Sequence, residues 1–161
     1  MSRSVMRADH TQSDGDIPTL IQLPLALAEQ IAAHSCDDFP REACGLLIGT
    51  ATGTHVGVHS IAACDNVAED PSKSFEIAPA DLLTAHREAR AQGLAVIGHY
   101  HSHPNGLTRP SSTDSASIAD PAAVWLIQAM DGNGGALSLH AFVPQPNTDG
   151  FMPLALEVDA P

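Results

Sequence analysis

The segment Gly98-His99-Tyr100-His101-Ser102-His103-Pro104 limits what this chain can fold into more than any other stretch. Leu94-Ala95-Val96-Ile97 is apolar, closed by Gly98 and too short for a typical helix, so it reads as a buried strand that ends in the histidines. Alternate side chains of a strand share a face, which points His101 and His103 the same way. Pro104 cannot continue a central ladder and turns the chain out through Asn105-Gly106-Leu107-Thr108-Arg109-Pro110. That loop brings Asp114 back as a third donor. Two imidazole nitrogens, one carboxylate oxygen and a fourth position open to water are the donors of a catalytic zinc site rather than a closed structural one. Taken alone, the HxH pair also describes two exposed or hydrogen-bonded histidines, and His99, on the same face, is a rival ligand by spacing.

The rest of the chain supplies layers for this strand. Thr19 to Leu23 is a short strand, and Pro24 opens a helix on which Leu23, Leu27, Ile31 and His34 recur every four residues. Glu42-Ala43-Cys44-Gly45-Leu46-Leu47-Ile48-Gly49 reads as a buried strand. Residues His55 to Ile61 form a strand with one wet face, which makes His55 and His59 solvent histidines. A polar loop from Asn66 to Ser74 leads to a short strand at Phe75-Glu76-Ile77. Pro79 then opens a second helix, with Leu82, Leu83, Ala85 and Ala89 as its buried stripe and Gly93 as its left-handed cap. A short helix after Asp114 runs to about Ala119. Strands follow at Ala123 to Met130 and Ala136 to Val143, with a last one near Leu154 to Val158. The order predicts an α+β layered domain over residues 17–161, preceded by a flexible polar tail over 1–16.

Glu42 stands at the start of an otherwise apolar strand, which makes it the candidate to take a proton from water and pass it to a leaving amine. The alternative is an exposed strand-end acid. Two separated blocks, His101-x-His103-Pro104 with Ser111-x-x-Asp114, and Pro40-x-Glu42-x-Cys44-Gly45-Leu46-Leu47-x-Gly49, resemble the signatures of the JAMM/MPN+ zinc metalloproteases in their minimal prokaryotic form.

The resemblance implies a cytidine-deaminase-like MPN/JAMM fold, a mixed β-sheet flanked by helices. It implies one zinc per chain held by His101, His103 and Asp114, Glu42 working on the water, and Ser111 donating to the oxyanion of the tetrahedral intermediate. Ser111 also suits a helix N-cap, a duty that Ser112 or Thr113 can take while Ser111 faces the metal. His99 becomes a wall of the site. The implied activity is peptidase or isopeptidase cleavage after the Gly-Gly tail of a ubiquitin-like or sulfur-carrier protein. A noncatalytic MPN scaffold and a RadC-like DNA-repair-associated domain are the alternatives.

Composition bears on the choice. Nineteen acids against seven bases, a formal charge of −12, repel nucleic-acid phosphates. The 161 residues suffice for one core, which 4% aromatic content leaves to aliphatic side chains, with Trp125 a core or pocket residue. Cys36, Cys44 and Cys64 form no CxxC pair and suggest a reducing compartment, with one disulfide among them left open. No signal-like or membrane-length apolar run is present, so the expectation is a cytoplasmic protein; His86, His140 and the oligomeric state acquire no reading.

Overall fold

The computed structural model describes residues 16–117, 120 and 122–160. The expected tail falls almost wholly outside them, as does the end of the helix expected to reach Ala119. In chain order the elements are β1 (Leu20–Pro24), α1 (Leu25–Asp38), β2 (Cys44–Thr52), β3 (His55–Cys64), α2 (Pro79–Ala91), β4 (Ala95–His103), α3 (Ser112–Ala116), β5 (Val124–Met130), β6 (Ala136–Pro144), β7 (Phe151–Pro153) and β8 (Ala155–Asp159). This is the expected α+β arrangement.

One eight-stranded sheet runs β7-β6-β5-β4-β2-β3-β1-β8. The β4/β5, β1/β3 and β1/β8 pairs are parallel and the others antiparallel. Although β7 and β8 stand at opposite ends of that order, Leu154 alone separates them in the chain. The Leu154 N–H donates to Ala141 O of β6 at 2.8 Å, and the Ala155 N–H donates to Thr19 O beside β1 at 3.1 Å. The sheet therefore curls until its two ends meet, and α1 sits in the hollow, touching β1, β3, β4, β5, β6 and β8.

Period-two alternation gives β4 two duties. Its even-numbered face joins the core: Tyr100, Leu126 and Ala141 lie in one cross-strand row, packed with Ile31 of α1, Leu47, Val56, Val58 and Val143. Tyr100 is fully buried, and its hydroxyl is 2.7 Å from Nδ1 of His34, whose Nε2 lies 3.2 Å from Asp38. Burial, foremost, keeps the Tyr100 phenol protonated by pushing its pKa up. The odd-numbered face carries His99, His101 and His103, beside Trp125, Ile127 and Ala129 of β5. Glycine lets the strands close up, at Gly98 and Gly45 among others. A Cβ on Gly98 would collide with the Val124 backbone, and one on Gly45 with the Tyr100 ring and Ala62 O.

Several local expectations are corrected. Phe75–Ile77 is no strand; a single Asn66–Ile77 bridge closes the loop there. Leu83 is 52% exposed, because residues 82, 85 and 89 share a helical face and residue 83 lies about 100° round from it. The third helix begins before Asp114 rather than after it, and β7 was not foreseen. Gly93 does adopt a positive φ of 72°, and His55 and His59 are exposed. The three cysteines are free thiols, with Cys44 and Cys64 as register partners on β2 and β3. Among the described residues, no helix is long and apolar enough to cross a membrane.

Replacing Gly98 by alanine forces β4 and β5 apart at the row just before the histidines. Urea denaturation is expected to show a loss of about 3 kcal/mol, the upper range for overpacking; a loss below about 1 kcal/mol would mean that the strands can yield.

Candidate active site

The strand end places His101 and His103 on one face, and α3 presents Asp114 from its first turn. The Nε2 atoms of the two histidines are 3.0 Å apart, and Oδ2 of Asp114 lies 3.3 Å from the first and 3.0 Å from the second. Three donors held at tetrahedral angles about 2.0–2.1 Å from one ion stand roughly 3.3–3.4 Å from each other, close to this spacing. Glu42, just before β2, completes the cluster: its carboxylate and the two imidazoles offer donor atoms within 4.8 Å of one another. All four residues are buried, and Glu42 Oε1 has no hydrogen-bond partner. A carboxylate oxygen shut away from water beside converging imidazole lone pairs is what a metal ion with a bound water would satisfy, so the donor set fits a metal.

Charge balance points the same way. Burial by itself would raise the Asp114 carboxyl, yet hydrogen bonds from His101 and His103, joined by the Ser111 N–H at 2.8 Å, hold it far below the usual carboxylate range. Burial pushes His101 down. His103 is opposed by burial but goes up, because Asp114 bonds to it. Burial lifts Glu42 to about 7, partly offset by His103 and reinforced by Asp114. The His103 Nδ1 sits 3.0 Å from the Leu107 carbonyl; donating there leaves Nε2 with a free lone pair for a metal. The His101 Nδ1 is buried with no partner.

Ser111 is the N-cap of α3. Its Oγ accepts from Asp114 N at 3.0 Å, in a reciprocal capping box with the Asp114 carboxylate. Of the alternatives open in the sequence, Ser111, Ser112 or Thr113 as the cap, the structure has Ser111. The cap uses Oγ only as an acceptor, and among the described contacts the hydroxyl hydrogen has no acceptor. One residue both fixes the third donor and keeps a free O–H close to it.

A groove of about 510 Å³ adjoins the cluster, lined by Leu46, Phe75, Ile77, Leu82, His99 and Trp125 among others, with Glu69 and Glu76 adding carboxylates. His99 is part of this wall and outside the donor cluster, its ring edge-on to Trp125 at 4.2 Å. Burial, with His101 beside it, lowers its pKa to about 3, so it is neutral. His86 is exposed on α2, and His140 bonds Ser138 Oγ at 2.7 Å.

Sequence reasoning missed the supports of the site. Phe75 stacks on His101, with ring centroids 4.4 Å apart and planes at 20°. The Ser102 hydroxyl accepts from Ala43 N at 2.8 Å, tying β4 to the residue after Glu42. Leu107 acts through its backbone carbonyl, and Asn66 through a side-chain amide that bonds the Glu42 carbonyl. A buried serine between two histidines was the one available signal.

A family model described as prokaryotic homologs of the JAB domain matches residues 24–140. Desampylase of Haloferax volcanii is 33% identical over 96 residues, 59% of this chain and 67% of that protein. A probable TtuB-protein conjugate cleaving protease of Thermus thermophilus is 30% identical over 95 residues, 59% of this chain and 61% of its own length. Tail tip assembly protein K of an Escherichia phage is 29% identical over 99 residues, which span 62% of this chain but only 37% of the phage protein. The chain therefore covers less than two thirds of the latter two. Among solved structures, a protein from Desulfitobacterium hafniense superposes with a TM-score of 0.77 at 28% identity, covering 88% of this chain and 94% of that one. One from Salinibacter ruber gives 0.67 at 31% identity, covering 86% and 90%.

Removing the cap by Ser111→Ala is expected to cost about 1 kcal/mol in chemical denaturation of the metal-free protein. No change would mean that the first turn of α3 is held from elsewhere.

Proposed function

The chain belongs to the prokaryotic JAB-domain family, and on that premise we propose that it is a zinc-dependent isopeptidase acting on conjugates or precursors of ubiquitin-like or sulfur-carrier proteins, cutting after their Gly-Gly tail. The observation that carries the reading is the buried convergence of His101 Nε2, His103 Nε2 and Asp114 Oδ2 beside an unpartnered Glu42 oxygen, at one end of a groove. The names of the Haloferax and Thermus relatives, a desampylase and a probable conjugate-cleaving protease, support the substrate class.

In this reading His101, His103 and Asp114 hold the zinc. When bound there, zinc supplies Lewis-acid polarisation of the scissile carbonyl and acidifies a water. Glu42 takes a proton from the attacking water on its free Oε1 and delivers it to the departing amine, and its burial, which favours the protonated carboxyl, helps it hold that proton in between. Ser111 donates its spare O–H to the oxygen on which negative charge develops. The groove suits an extended tail without bulky side chains near the cut, and the wall of Phe75, His99 and Trp125 keeps water from the reacting end. The same residues buried together weigh against a scaffold that merely keeps the fold, and the −12 charge weighs against a DNA-associated role.

Elemental analysis of the purified protein is expected to give about one zinc per chain, lost in His101→Ala, together with cleavage of a ubiquitin-like carrier extended beyond its Gly-Gly. Glu42→Gln should keep the zinc and lower kcat by at least about a hundredfold. Full activity in that variant would remove Glu42 from the chemistry. Ser111→Ala should lower kcat by about a hundredfold per folded, zinc-loaded molecule. A metal-free protein that cleaves equally well would overturn the reading.

A further inference from the structure

Asn66, the second residue after β3, is 6% exposed and uses every polar group of its side chain. Its Nδ2 donates to the carbonyl oxygens of Glu42 at 3.0 Å, Ser74 at 2.9 Å and Pro71 at 3.3 Å. Its Oδ1 accepts from the N–H groups of Ala68 at 3.0 Å and Glu76 at 3.2 Å. The loop grips Glu42 a second time, since the Glu42 N–H donates to Pro71 O at 2.7 Å. Both backbone polar groups of the residue that carries the unpartnered carboxylate are thus held by the segment that supplies Phe75, Glu76 and Ile77 to the groove wall. From the same segment Phe75 reaches His101.

We propose that Asn66 is a positioning residue that clasps the groove wall and the Glu42 backbone into one rigid unit, so that the substrate tail and the proton-carrying carboxylate are placed together. The inference rests on the isopeptidase reading for its kinetic consequence. Asn66 itself lines neither the groove nor the donor cluster. Its action is geometric: a tail seated against Phe75 and Ile77 is referred to Glu42 through one amide, and a displacement of about 1 Å at either end is enough to cost a hundredfold in rate. No shorter side chain spans the three carbonyls. Aspartate keeps the size and the acceptor for Ala68 and Glu76 but turns an oxygen, in place of the donor, toward the carbonyls of Glu42, Pro71 and Ser74.

The test is steady-state kinetics of the zinc-loaded protein on a ubiquitin-like carrier extended beyond Gly-Gly, for the wild type, Asn66→Ala, Asn66→Asp and Ile77→Ala. Both Asn66 variants are expected to lose about a hundredfold in kcat/KM, with kcat lowered and KM raised together and the zinc content unchanged. Ile77→Ala, which shortens a wall side chain and leaves the backbone bridge to Asn66 in place, should raise KM and leave kcat within about twofold. Asn66 variants that lose thermal stability yet keep kcat and KM within about twofold per folded molecule would overturn the proposal, leaving Asn66 a loop-folding residue. Amide exchange of the unsubstituted protein reads the clasp without any variant: the Glu42, Ala68 and Glu76 amides should share one protection level, and independent opening of Glu42 would overturn it. If the wild type cleaves no such carrier, the isopeptidase reading falls, while the exchange measurement still decides whether the clasp exists.

Discussion

Two imidazole nitrogens and a carboxylate oxygen held 3.0–3.3 Å apart in the protein interior are the constraint on which the rest of the structure depends. Asp114 accepts hydrogen bonds from both imidazoles, but where no proton stands between them, buried lone pairs repel and the groups would move apart or take up water. They stay because three separate parts of the fold fix them. His101 and His103 are held by a strand paired on both sides, Asp114 by a capping box, and Glu42 by backbone bonds from the neighbouring loop. The arrangement is prepaid in folding free energy, and an ion of matching size restores part of it on binding.

The sheet makes this affordable by separating duties across one strand. Tyr100 and Ser102 lock β4 to α1 and β2 on one side, and the intervening histidines face the site on the other. Glycines at 45 and 98 allow the flanking strands to approach closely. The histidines are consequently positioned by the buried end of a central strand, paired on both sides.

Much of this was legible in the sequence because it depends on period and punctuation. The HxH alternation, the break at Pro104, the proline that starts α2 and the glycine that ends it are local signals, and each appears where its local physics put it. The four donors lie in two short blocks whose spacing survives folding unchanged. What could not be read depends on long-range contact. Asn66 resembles any loop asparagine until Glu42, 24 positions earlier, arrives beside it. Phe75 passed as a strand residue because aromatic and β-branched residues in a row favour strands, whereas here its ring is claimed by His101. Ser111 is readable in the sequence both as a cap and as a site residue, and only the start of α3 at Ser112 makes it the cap.

The meeting of β7 and β8 around Leu154 bears on how the molecule emerges during synthesis. The four clustered side chains, Glu42, His101, His103 and Asp114, lie between positions 42 and 114, so those groups leave the ribosome well before the strand that seals the sheet around α1. Until Ala155–Asp159 is free to pair with β1, the hollow that receives α1 stays open along one side, with Ile21 and Leu23 lacking their last cover. A growing chain can thus bring its histidines and carboxylates together early but can close its apolar interior only once Ala155–Asp159 has emerged, which makes β8 the latch of the nascent protein.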